Sequence, residues 1–218
     1  MAKSKTFETP SGDHIFLLAA ITAALAAIFL VTVWAPLQVR AFAQATQGAQ
    51  PEASAVIGGW SHVPFATADG NTTSLEASSG QVRVVTMMYT HCPGMCPLAV
   101  STLQDMEARL TSKQRSKVSI IALSLDPERD SLARLREFRA ARGIDSRHWI
   151  VARPSVEGAR QLANAMGVDY RVLGDETIDH QSVFVLLGKS GEVLARSSNT
   201  RSVDPEFFSA LQAASSAN

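Results

Sequence analysis

Two cysteines separated by three residues, each followed by proline, make up the most reactive stretch of the chain: Thr90-His91-Cys92-Pro93-Gly94-Met95-Cys96-Pro97. Such a pair can be oxidised to a disulfide, exchange disulfides with a partner, or bind a soft metal ion as thiolates. A purely stabilising disulfide would close a loop of about five residues, where the chain-entropy gain is smallest, and would not need a proline beside each cysteine. Redox or metal work accounts better for the motif. The spacing is Cys-x3-Cys and not the Cys-x2-Cys of a dithiol oxidoreductase, and it leaves those two chemistries open.

The remaining donors are few. His180 stands in Asp179-His180-Gln181-Ser182, directly before the apolar run Val183 to Leu187. His91 adjoins Cys92, while His14, His62 and His148 have no visible partner in the sequence. Met87, Met88 and Met95 carry thioethers that could bind Cu(I), but methionine in a strand is usually packing. Only Met95, inside the cysteine loop, merits attention on that ground. Asp126, Arg129 and Asp130 read most simply as residues that cap and solubilise a helix. An extended chain would turn the Asp179 side chain away from that of His180.

The elements that must position these groups are legible from pattern. Val82 to Tyr89 and Val118 to Leu125 are near-continuous apolar runs, as expected for strands covered on both faces of a parallel sheet. Between them Ala99, Leu103, Met106 and Leu110 share a helical face, giving a strand-helix-strand unit. Pro97 suits the first position of that helix, with Cys96 as its N-cap, so both sulfurs would lie near a helix N-terminus that favours thiolate. Asp126-Pro127 is expected to cap a second helix bearing Leu132, Leu135 and Phe138, and Gly143 to stop it. A third helix spans Ser155 to Met166, a hairpin turns at Gly188 to Gly191, and Asp204-Pro205 opens a last helix. Ahead of them, Asp69-Gly70 between two short extended runs marks a hairpin. The order is that of an α/β thioredoxin-like domain with an N-terminal hairpin and an inserted helix. A thioredoxin-type oxidoreductase carries a proline before the strand that follows His180, yet none occurs between Pro154 and Pro205. An imidazole therefore occupies the region facing Cys92 and Cys96. Two thiolates and one imidazole suit copper, sulfur favouring Cu(I) and nitrogen helping to hold Cu(II).

Residues 15–37 run for 23 positions without a charge, long enough at about 1.5 Å per residue to cross a hydrocarbon core of about 30 Å. Lys3 and Lys5 before it favour a cytoplasmic N-terminus, with the rest exported. Ala41-Phe42-Ala43 offers the competing reading of a cleaved signal, but the apolar run exceeds a usual signal core and Arg40 adjoins the cleavage point. The expected organisation is thus a cytoplasmic N-terminus over 1–14, one transmembrane helix over 15–37, a tether over 38–58 rich in Ala, Gln, Ser and Gly, and the domain over 59–218. Lysine plus arginine total 20 and aspartate plus glutamate total 20, so no global field exists to attract nucleic acid.

With these residues together, the chain resembles the Sco/SenC family, the copper-handling proteins of cytochrome oxidase assembly. The likeness runs from about Val63 to Leu211, through YTHCPGMCP, LSLDPERD, GVDYRV and DHQSVFVLLGKSGEV. It implies that Cys92, Cys96 and His180 are copper ligands for Cu(I) or Cu(II), and that Cys92 and Cys96 form a disulfide when oxidised. It also implies a periplasmic domain anchored in the inner membrane, and the copper-bearing subunit of cytochrome c oxidase as recipient. Reduced cysteines in that compartment call for a thioredoxin-like reductant, and another copper chaperone is among the expected partners. Many members of the family have an acidic residue where Gly94 stands and a smaller apolar one where Met95 stands. Some members are credited with thiol-disulfide or electron-transfer roles. A copper-passing assembly factor is therefore the favoured reading and a thiol-disulfide oxidoreductase using Cys92 and Cys96 the alternative, which leaves enzymatic activity open.

Overall fold

Asp69-Gly70 does sit in a hairpin: β1 (Phe65–Thr67) pairs antiparallel with β2 (Thr72–Thr73), and Gly70 takes a φ of 92° that side chains disfavour. The computed structural model describes residues 59–173 and 177–217. The expected transmembrane helix (15–37), the tether and the N-terminal residues lie outside the described residues. Among the described residues no helix is long and apolar enough to cross a membrane.

The two apolar runs form β3 (Val82–Met88) and β4 (Val118–Ser124), paired in parallel and buried at every position. Successive strand residues point to opposite faces, so burial of all of them means that both faces are covered. The helix between them is α1 (Met95–Arg109), which buries Ala99, Leu103 and Met106 as its spacing implied. A single turn, α2 (Ser112–Arg115), closed by a capping box from Thr111, leads into β4. After β4 come α3 (Leu132–Ala141), β5 (Trp149–Pro154) and the inserted helix α4 (Val156–Ala165). A two-stranded ribbon follows, β6 (Tyr170–Val172) with β7 (Ile178–His180). The chain ends in the expected hairpin, β8 (Phe184–Leu187) and β9 (Val193–Ser197), and in α5 (Pro205–Ser216), whose N-cap Asp204 accepts from two backbone amides. The main sheet runs β2-β1-β5-β4-β3-β8-β9. β3 lies between parallel β4 and antiparallel β8, the arrangement of a thioredoxin-like sheet.

Several expectations are corrected. Helix α1 starts at Met95 with Gly94 as N-cap, so Cys96 lies inside the first turn and Pro97 is its third residue. Proline is tolerated there because first-turn amides have no intrahelical acceptor. Helix α3 is capped by Ser131 and not by Asp126-Pro127. Strand β5 and the β6–β7 ribbon were not foreseen: β5 carries Arg153 and Pro154 at its end, and the two ribbon strands have three residues each. Arg83, the second residue of β3, is 1% exposed. Its guanidinium donates to the carbonyls of Leu75 and Gly188 at 2.6 Å each, which ties the start of the domain to the β8–β9 turn.

Candidate metal centre

β3 delivers the chain to the carboxyl edge of the sheet, where open α/β sheets place ligands. There Tyr89 to Cys92 form a turn closed by the Cys92 amide on the Tyr89 carbonyl at 3.3 Å. A carboxyl group from the segment between β4 and α3 holds this turn in place. Asp130, fully buried, accepts from the Thr90 amide at 3.2 Å, from Thr90 Oγ1 at 2.5 Å and from Ser124 Oγ at 2.5 Å. His91 turns to the same acids, with Nε2 3.1 Å from Asp126 and Nδ1 3.8 Å from Asp130, and Arg129 closes on Asp126 from the other side. The reading of Asp126 and Asp130 as helix-capping surface acids is therefore wrong. They brace the cysteine loop, and that bracing keeps His91 off the sulfurs.

Past this turn the first coil of α1 bends back over Cys92, whose sulfur accepts from the Cys96 amide at 3.4 Å. Cys92 is half-buried and Cys96 is 1% exposed; both thiols are free. The pair divides its proton unequally. The Cys96 thiol donates to Cys92 and holds it well below the usual thiol range, against an opposing push from burial and with help from His180 and the loop amides. Cys96 is pushed up, first by that same interaction and then by burial. The outcome is a reachable thiolate backed by a buried thiol.

The third donor comes from the ribbon. In β6–β7, Tyr170 stands opposite His180, Arg171 opposite Asp179 and Val172 opposite Ile178. Asp179 faces outward to Arg171 at 3.1 Å, as expected from alternation. His180 faces inward, with Nε2 3.9 Å from Cys96 Sγ. The donor atoms of Cys92, Cys96 and His180 all lie within 4.8 Å of one another. With metal bonds of about 2.0–2.3 Å, three donors around one ion sit roughly 3.5–4 Å apart, so closure on an ion needs at most about an ångström of adjustment. Soft sulfur with one imidazole fits copper in either oxidation state.

His180 Nδ1 is buried with no hydrogen-bond partner among the described residues. The His180 ring packs against Tyr89. The Tyr89 ring meets that of His180 edge-on at 5.8 Å and that of His91 at 5.0 Å. Its hydroxyl donates to the Ile178 carbonyl and accepts from the Ile178 amide, both at 3.3 Å. Tyr89, three residues before Cys92 and clamped to the residue two before His180, links the two halves of the centre. The other sequence candidates lie apart from it: Met87 and Met88 are core, and His62 pairs with exposed Glu76.

Residues 50–212 match the SCO1/SenC family. The chain belongs to that family. A SCO1 protein homolog of Bacillus subtilis is 28% identical over 133 residues, 60% of this chain and 68% of the relative. Among solved structures, BsSco, a member of the Sco family of cytochrome c oxidase assembly proteins in which a disulfide switch was identified, is 27% identical with a TM-score of 0.61. The similarity covers 71% of this chain and 92% of that one. Bradyrhizobium japonicum ScoI with copper bound shares the fold at a TM-score of 0.61 and 21% identity, over 70% of this chain and 96% of that one. The family therefore agrees with the copper chemistry of the three donors. The sequence reading missed Tyr89 and gave Asp130 the wrong role. Their roles depend on partners 89 and 40 residues away, and no local pattern signals such pairs.

Proposed function

We propose that this protein is a membrane-anchored copper chaperone that holds the ion on Cys92, Cys96 and His180 and passes it to the dinuclear copper centre of a cytochrome c oxidase subunit. The observation that carries this reading is the convergence of two sulfurs and one imidazole nitrogen within 4.8 Å at the carboxyl edge of the sheet. Half-exposure of Cys92 leaves an approach for an incoming ligand, so transfer can proceed by stepwise exchange of thiolate for thiolate. Its charge-free segment 15–37 supports an anchor in the cytoplasmic membrane with the domain on the periplasmic side. On that reading the protein sediments with membranes and resists extraction by carbonate.

The unequal cysteines favour a second reading, thiol-disulfide exchange. The Cys92 thiolate attacks one sulfur of a partner disulfide, forming a mixed disulfide and releasing the partner's other sulfur as a thiolate. Cys96 then loses its proton to that thiolate or to solvent and attacks Cys92 Sγ. The partner leaves with both cysteines reduced, and Cys92–Cys96 is left as the disulfide. One comparison separates the readings: copper titration of the reduced protein and of His180→Ala, with disulfide reductase activity measured in parallel. The chaperone reading expects tight copper binding that the substitution weakens at least tenfold for Cu(II). Unchanged binding of both oxidation states refutes the ligand assignment, and reductase activity indifferent to the substitution supports the exchange reading.

A further inference from the structure

Beside His180 lies a cavity of about 500 Å³, bounded by the loop before β8 and the loop after β9, whose lining includes Met95, Gln181, Ser182, Asn199 and Arg201 but neither cysteine. These groups are hydroxyl, amide and guanidinium, none of them a ligand for Cu(I), with a single thioether among them. Met95 is half-buried in this polar wall, whereas Met87, Met88, Met106 and Met166 are each at most 2% exposed and serve the core. A methionine placed for packing would follow those four. Met95 is also covalently next to Cys96, in the first turn of α1, and shares a cavity wall with the third donor. Thioether sulfur binds Cu(I) well and Cu(II) poorly.

Resting on the copper reading above, we propose that the Met95 thioether is a fourth ligand to Cu(I), on the side of the ion that faces the cavity shared with His180. A neutral, weakly held sulfur beside two thiolates and an imidazole raises retention of Cu(I) without adding charge. It is also the ligand that an incoming thiolate displaces most readily.

Selenomethionine labelling of the full chain supplies the test, because copper bonded to selenium is visible at the selenium absorption edge. The Cu(I)-loaded protein should show a copper backscatterer at bonding distance from selenium, absent from Met95→Leu, a substitution that nearly conserves volume. Competition with a Cu(I) chelator should give about tenfold weaker binding for Met95→Leu, with Cu(II) binding and the unfolding midpoint unchanged. A Cu(I)-loaded wild type with sulfur at the copper edge and no copper at the selenium edge overturns the Met95 assignment alone. A selenium–copper signal that survives Met95→Leu overturns it as well. A protein that takes up no copper in either state overturns the copper reading on which it rests.

Discussion

Replacing Tyr89 by phenylalanine removes one oxygen and tests how the two halves of the centre are joined. The hydroxyl makes two hydrogen bonds to the Ile178 backbone, each 3.3 Å long, at the weak end of normal geometry. Ile178 is 5% exposed, so its amide and carbonyl cannot simply turn to water. Two net contributions of about 0.5–1 kcal/mol each give an expected loss of about 1–2 kcal/mol in urea unfolding of the copper-free protein. The ring itself remains, so no cavity term is added. With this clamp gone and β7 held by its pairing with β6, copper must order His180 out of its own binding free energy. Because about 1.4 kcal/mol corresponds to a factor of ten, Cu(II) affinity should fall up to tenfold, read from the sulfur-to-copper charge-transfer band on titration. Cu(I), held mainly by sulfur, should lose less. If stability falls as expected while Cu(II) affinity and spectrum stay at wild-type values, Tyr89 is a core residue only and the positioning argument is refuted.

Asp130→Ala strips the acceptor from the Thr90 amide, Thr90 Oγ1 and Ser124 Oγ. Buried unpaired donors cost about 1–3 kcal/mol each before relaxation, so a net loss of about 3 kcal/mol is expected. That is a melting temperature lower by about 6–12 °C, and a fall of less than about 2 °C would count against the bracing role. The thiol pair should show its asymmetry in alkylation. Cys92, held below the usual thiol range by the Cys96 thiol, loses its thiolate only as pH falls through that lowered value. Its rate with iodoacetamide should therefore be flat across neutral pH, while Cys96, pushed up, stays unlabelled. A Cys92 rate that climbs with a midpoint near the free-thiol value of about 8.5 would show that Cys96 does not donate to it.

Much of the fold was written locally. The continuous apolar runs specified β3 and β4, the Asp69-Gly70 and Gly188 to Gly191 turns specified two hairpins, and Asp204-Pro205 specified the start of α5. Signals failed where local chemistry was ambiguous. Asp126-Pro127 looks like a helix cap, yet Ser131 caps α3 because Asp126 faces His91 and Arg129. Residues 149–154, with Arg153 and Pro154 at their end, do not read as a strand, but pairing with both β4 and β1 makes them one.

The same division runs through the metal centre. By itself the sequence determined the donor types, the cysteine spacing and, through a missing proline, the residue standing opposite them. These depend on neighbouring residues and on the order of elements. Only the tertiary structure decided that His180 Nε2 comes to 3.9 Å from Cys96 Sγ and that His91 is drawn away to Asp126. It likewise set the inequality of the two thiols and the joining of the centre's halves by Tyr89. Distances between groups 84 or 89 residues apart, and the burial that sets a thiol's charge, arise from packing of the whole sheet and its helices. No short stretch of sequence contains them.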